Sequence, residues 1–336
     1  MTKKKSFNLC KINLKKTILY RVEGGFHEGM GHIYRSDLLL LNLKKNYNII
    51  ILTKYQTVSY FFFKKKNFKI YSHNEKNLKK KIELIKKKEK IDLFINDYIN
   101  IKYHVSKFFE KEKINAIYLD TLNIIPKKHI FCIDTFLDKK KKYLNYFQGL
   151  EYVILDPKIN SLKNTIKKKL NITIHFGGSD EKNLSYKIFK LIKKIDKIDN
   201  IIIILGPAVI TNVRKKFNNL SLRYHKLKIL NSPKNLYDAY KNTTLGIISG
   251  GNNLFNFCSA GINNISISTN YFEKKNCEKM KDLNLTDYAG HYNRIHERII
   301  INKIIDFKNF PENKKKFTSN GVVKIIKIIQ NILNIN

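Results

Sequence analysis

Short apolar runs alternate with helix-spaced segments along this chain, and they do so in two separate series. Runs at 17–23, 48–52, 68–71, 92–96, 116–120 and 130–134 read as strands, interleaved with helical spacing at 33–44, 78–88 and 103–111. The first series closes near 152–155. A lysine- and asparagine-rich stretch from Asp156-Pro157 to Lys169 then reads as a linker. The pattern resumes with strands at 172–176, 201–205, 227–230, 245–248 and 265–268, and helices at 182–195, 234–241, 254–259 and 322–333. Strands that are apolar throughout and separated by helices belong to a parallel sheet buried on both faces, because each crossover lays a helix against the sheet. The expectation is an α/β chain with a basic arm over 1–15, a first domain over 16–157, a second over 170–320 and a closing helix over 321–336. Ser232-Pro233 reads as a helix N-cap followed by proline at the first helical position.

Three glycine turns fall where strands hand over to helices. The first is Gly29-Met30-Gly31-His32-Ile33-Tyr34-Arg35, after the strand at 17–23. Glycine lets backbone approach a ligand closely, and a helix N-terminus aims unpaired N–H groups at it. His32 falls on this turn, and an imidazole can act as a base near neutral pH. The second turn is Gly177-Gly178-Ser179-Asp180, with Ser179 read as the cap of the next helix. The third is Ser249-Gly250-Gly251-Asn252-Asn253. In a Rossmann-like sheet both turns of the second half reach the same C-terminal edge, where a diphosphate would satisfy them together. His175, inside an apolar run, reads as a core histidine.

The formal charge of +38 invites a nucleic-acid or membrane-surface reading, but the lysines recur in short runs over the whole chain. A dedicated binding face would concentrate cations and exposed aromatics in one region. No specific nucleic-acid partner is expected. Cys10, Cys132, Cys258 and Cys277 lack metal-type spacing, which argues against a zinc site or disulfide framework and for a reducing, cytoplasmic setting. No apolar run approaches the roughly 20 residues of a spanning helix. No metal or other cofactor is expected, and nothing in the sequence sets the oligomeric state.

The run Gly29–Arg35, the Gly-Gly-Ser-Asp at 177–180 and the stretch from Ser249-Gly250-Gly251 to Ala260-Gly261 together resemble the UDP-sugar hydrolases of pseudaminic acid biosynthesis (PseG-type). These are related in fold to the MurG-like glycosyltransferases. The likeness runs in order from about residue 17 to about residue 290, most of the chain. It implies a GT-B-like architecture of two Rossmann-like domains facing a cleft, with UDP held mainly by the second. It also implies removal of UDP from a 2,4-diacetamido-trideoxy sugar by water attack at the anomeric carbon. Under that resemblance His32 is the water-activating base, Asn270 helps hold sugar or water, and Arg35 is an orienting or structural partner. The nucleotide falls to Gly177, Gly178, Ser179, Gly250, Gly251, Asn252 and Asn253.

The chain also departs from that family. Asn256 stands where a glutamate usually takes the ribose hydroxyls, and asparagine can accept a hydrogen bond but brings no charge. The segment Arg21-Val22-Glu23-Gly24-Gly25-Phe26-His27 is richer in glycine than the family's and brings a second histidine, read as lining the pocket or facing solvent. The family's crevice tyrosine has its match near Asp97-Tyr98, at the end of an apolar run, so either residue can point into the pocket beside Gly29 and Gly31. The resulting expectation is a nucleotide-sugar hydrolase. A glycosyltransferase of the same architecture, or a binding protein without catalysis, are the alternatives.

Overall fold

A computed structural model describes residues 15–26, 28–135, 143–162, 169–310 and 317–334 of the chain. The arm over 1–14, His27, and most of the lysine-rich stretch before Lys169 lie outside the described residues.

Each half of the chain forms its own sheet. The first contains β1 (Thr17–Val22), β2 (Asn48–Lys54), β3 (Lys69–His73), β4 (Leu93–Asp97), β5 (Asn115–Leu119), β6 (Ile130–Asp134) and β7 (Tyr146–Gln148). The second contains β8 (Asn171–His175), β9 (Asn200–Leu205), β10 (Leu227–Asn231), β11 (Leu245–Ser249), β12 (Asn263–Ser268), β13 (Asp287–His291) and β14 (Arg294–Ile295). Among the described residues the strand orders are β3-β2-β1-β4-β5-β6-β7 and β10-β9-β8-β11-β12-β13-β14. Every pairing among them is parallel except β13 with β14. In both sheets the order reverses beside the first strand, which opens a crevice at the C-terminal strand ends.

Period-two alternation distributes the side chains between two cores per sheet. Along β1, Ile18, Tyr20 and Val22 enter one cluster while Leu19 enters the opposite one. All four have no exposed surface, and the aliphatic Ile18, Leu19 and Val22 each contribute about 1.5–3 kcal/mol when buried. The second sheet is covered in the same way, by one cluster around Ile172, Ile174 and Phe189 and another around Tyr240, Leu254 and Phe257.

Three local expectations are corrected. The expected linker starts with packed chain: Pro157–Asn160 is a short helix capped by Asp156, and Ile159 and Leu162 are buried in a second-domain core. Ser232-Pro233 does not open a helix, because Ser232 has φ of 48° and the helix Leu236–Tyr240 begins after Asn235, whose side chain accepts the Tyr237 N–H. Nor does Ser179 cap its helix. Asp180 reaches across the turn to the N–H groups of Leu184 and Ser185, at 2.8 and 3.0 Å, and a carboxylate that accepts both supplants a serine at the position before it.

The helix Gly321–Asn334 returns to the first domain. Ile325, Ile329 and Ile332 join the cluster that contains Leu39 and Leu40. Its entry is tight: a Cβ on Gly321 would lie 2.2 Å from the Val153 carbonyl oxygen, so only glycine fits.

Candidate active site

The helix Gly31–Leu43 begins directly at the first glycine turn. Residues three and four apart share one face of a helix. His32, Arg35 and Ser36 therefore point together toward the end of β4, where Asp97 is fully buried. The register of β1 against β4 sets Val22 opposite Asp97 and brings the Tyr20 hydroxyl onto the same carboxylate.

Asp97 is saturated by these groups. Its Oδ2 accepts from Tyr20 Oη at 2.8 Å and Ser36 Oγ at 2.7 Å. Its Oδ1 accepts from Arg35 Nε at 2.8 Å and from Arg35 Nη2, and lies 2.9 Å from His32 Nδ1. Burial works to raise the Asp97 pKa, but the Arg35 charge and the His32 and Arg35 hydrogen bonds overcome it and hold the group well below the usual carboxylate range. Arg35 is in turn paired with Asp120, whose other oxygen accepts from the Thr135 amide and hydroxyl.

This arrangement selects a tautomer of His32. An ionised Asp97 oxygen at 2.9 Å assigns the ring proton to Nδ1, leaving the Nε2 lone pair free. Arg35 Nη2 also lies 3.2 Å from Nδ1, but it donates to the nearer Asp97 oxygen, and that carboxylate has only acceptors to offer the ring. The ring stays partly open to solvent, with the Tyr98 ring edge-on and 6.0 Å away. Arg21 and Lys54 lie over Tyr98 at 5.0 and 5.9 Å from its centroid. The expected pocket residues Arg35, Asp97 and Tyr98 thus gather around His32.

The second-domain turns meet the first-domain turn directly. Gly177, with φ of +77°, is the second residue after β8, and Gly206 after β9 packs so closely that its Cβ would fall 2.4 Å from Gly178 Cα. A Cβ on Gly178 would strike the buried Met30 side chain at 2.2 Å. Asn252, in the first turn of the helix Asn252–Ala260, donates its amide to the Gly31 carbonyl oxygen at 2.9 Å. Asn253 is turned inward, donating to the His175 carbonyl oxygen at 3.2 Å. Asn256 is half-buried on the same helix, and its carbonyl accepts from Ser259.

Asn270 and Glu273 alter the expected picture. Asn270 is the N-cap of the helix Tyr271–Asp282, accepting the Glu273 N–H at 3.0 Å, and is not among the groups touching His32. Glu273, which sequence reasoning missed, sends Oε2 to the Thr269 amide and hydroxyl, both at 2.7 Å, and takes the Gly250 amide. Burial raises its pKa against these hydrogen bonds. A carboxyl group therefore sits at the third glycine turn, from helix Tyr271–Asp282 and not from position 256.

No protein-family model matches the chain. It is 28% identical, over 93% of its length, to the uncharacterised protein MJ1062 of Methanocaldococcus jannaschii, and spans 66% of that protein. Among solved structures, MurG of Acinetobacter baumannii superposes with a TM-score of 0.69 at 13% identity, covering 94% of this chain and 99% of that one. The UDP-GlcNAc 2-epimerase of Methanocaldococcus jannaschii superposes with a TM-score of 0.57 at 17% identity, covering 95% and 100%. The rhamnosyltransferase SpnG gives 0.61 at 9% identity, covering 95% and 96%. With two seven-stranded, mostly parallel sheets meeting at their glycine turns, the chain has the GT-B fold.

Proposed function

We propose that this chain is a nucleotide-sugar hydrolase that removes UDP from a UDP-linked diacetamido-trideoxy sugar. The observation that carries the reading is the His32–Asp97 contact, with Nε2 unengaged beside glycine turns suited to an anion. In the reaction Nε2 takes a proton from water as the water oxygen bonds to the anomeric carbon. The bond from that carbon to the diphosphate oxygen breaks, and UDP leaves with the electron pair. Asp97 stabilises the imidazolium so formed, as a carboxylate behind a catalytic histidine does. N–H groups at Gly177–Ser179 and at Gly251 and Asn252 receive the leaving charge, the Gly250 amide being held by Glu273. The GT-B fold, shared with a UDP-GlcNAc 2-epimerase solved with UDP-GlcNAc and UDP, supports a nucleotide-sugar substrate.

Transfer to an acceptor hydroxyl would use the same base, so the experiment must separate the two. The protein is incubated with a panel of UDP-sugars, with and without acceptors, and products are identified by mass spectrometry. Free sugar and UDP without acceptor support hydrolysis. UDP release that requires an acceptor means a glycosyltransferase, and no release with any donor sinks the enzymatic reading.

A further inference from the structure

The lysines are dispersed over the chain, as are the exposed Tyr103, Tyr143 and Tyr271, but one surface gathers several aromatic rings together. The helix Val58–Lys65 carries Tyr60, Phe61, Phe62 and Phe63 in succession, and of these only Phe63 is fully buried. Phe61 is 57% exposed and Tyr55, just before the helix, 55%. Tyr34, on the outer side of the helix that bears His32, is 44% exposed and meets Phe62 edge-on at 6.2 Å. Tyr55, Tyr60 and Phe61 continue the cluster, with successive centroids 5.3 and 5.4 Å apart. Lysines rim this surface: Lys64 lies over Tyr60, Lys66 over Phe62, and Lys65 is exposed between them. Leaving such rings in water forgoes a large part of their burial energy, so a contiguous patch of them marks a docking surface.

We infer that this aromatic–lysine face docks on an anionic bilayer surface. The rings pack edge-to-face on one another, at 72°, 86° and 87°, and so form an apolar mass instead of open platforms on which bases could stack. The rim is lysine without exposed arginine, which suits a diffuse anionic surface better than bidentate phosphate recognition. Pairing with a second copy through this face would set one lysine rim against another, a like-charge contact. Tyrosine and phenylalanine flanked by lysine match the headgroup boundary, where rings enter the apolar layer and ammonium groups stay among the phosphates. Each lysine near such a surface raises binding about fivefold. Because the patch adjoins the helix that bears His32, docking there would hold the site close to the membrane surface.

The chain contains no tryptophan, so Phe61→Trp installs a single reporter on an exposed position. Its emission should shift to the blue and be quenched by brominated acyl chains when vesicles of phosphatidylglycerol and phosphatidylcholine are added. Leu222→Trp, on an exposed helix of the second domain, should show neither effect. The double variant Tyr60→Ser, Phe61→Ser should lose vesicle co-sedimentation about tenfold or more. Equal responses from both reporters would mean adsorption by net charge alone, and would overturn the proposal. So would an emission of Phe61→Trp that is already blue without lipid, undiminished sedimentation of the double variant, or patch-dependent binding of single-stranded nucleic acid in place of vesicles.

Discussion

Asn252 of the second domain donates its side-chain amide to the carbonyl of Gly31 in the first, one residue from the candidate base. The bond joins the N-terminal turns of two helices from different sheets, so the position of His32 depends on how the domains sit together. Beside it, Met30 fills the space over Gly178.

That contact predicts a domain-level phenotype. A methyl group on Gly178 would overlap Met30 Cγ and Cβ, so Gly178→Ala should force the turns apart and enlarge the radius of gyration seen by small-angle X-ray scattering. Adding Met30→Gly should restore the compact value. If the single variant scatters as the parent does, the turns yield locally and the domains are not held by this contact.

His32→Ala should lower turnover by about 10²–10⁴-fold on any donor the protein cleaves, while UDP affinity measured by calorimetry stays within a few-fold of the parent. Loss of both together would place His32 in nucleotide binding and remove it from the chemistry.

Asp97→Asn should be costly in a different way. It leaves the buried Arg35 guanidinium with Asp120 as its carboxylate partner, and breaking a buried ion pair costs about 3–5 kcal/mol. The expectation is a melting temperature several degrees lower together with lost activity. An unchanged thermal midpoint would show that the network around Asp97 relaxes freely.

Asn270 admits a test of role. Asn270→Ala should lose about 1 kcal/mol by uncapping the helix Tyr271–Asp282, whereas Asn270→Ser keeps a cap and should restore stability. If turnover follows stability in both, the residue is structural. If Asn270→Ser is stable yet inactive, the amide itself contacts substrate.

Burial of His175, which hydrogen-bonds Tyr240 at 2.8 Å, pushes its imidazole down to about 4 from an ordinary 6.5. The folded state holds the ring neutral, so this contribution is complete above pH 6.5 and is lost as pH falls through about 4. The full effect is about 3 kcal/mol. Denaturant unfolding across that window should show stability falling toward acid, with a shallower slope in His175→Gln. Parallel slopes would assign the acid sensitivity elsewhere.

Much of the fold was legible because buried parallel strands such as β5 and β9 are apolar at nearly every position. The edges were not. Strand β13 reads Asp-Tyr-Ala-Gly-His with Ala289 alone buried, and the helix Thr211–Arg223 fully buries only Phe217, with Val213 and Leu220 partly buried beside it among polar residues, so the pattern of each is faint. The helix Val58–Lys65 was missed because consecutive aromatics have no helical period. At the candidate site, the glycine turn and His32 were readable locally, and Asp97 as the end of a strand. Tyr20 and Ser36 were not, since their role depends on the pairing of β1 with β4 and on the helix face that packs above it. Glu273 escaped for the same reason: only tertiary packing carries it to Gly250.

The helix Gly321–Asn334 also bears on how the protein is made. Residues 16–152 reach the solvent early in synthesis, yet Ile325, Ile329 and Ile332 complete their core, so the half that emerges first is finished last. Until residue 332 has been translated, Leu39, Leu40 and their neighbours have an open apolar wall, the kind of transient exposure that attracts chaperones or aggregates. Cutting the chain between the two sheets would not yield two independent halves: the first piece would lack a wall, and the second would carry an apolar helix with nothing to cover it.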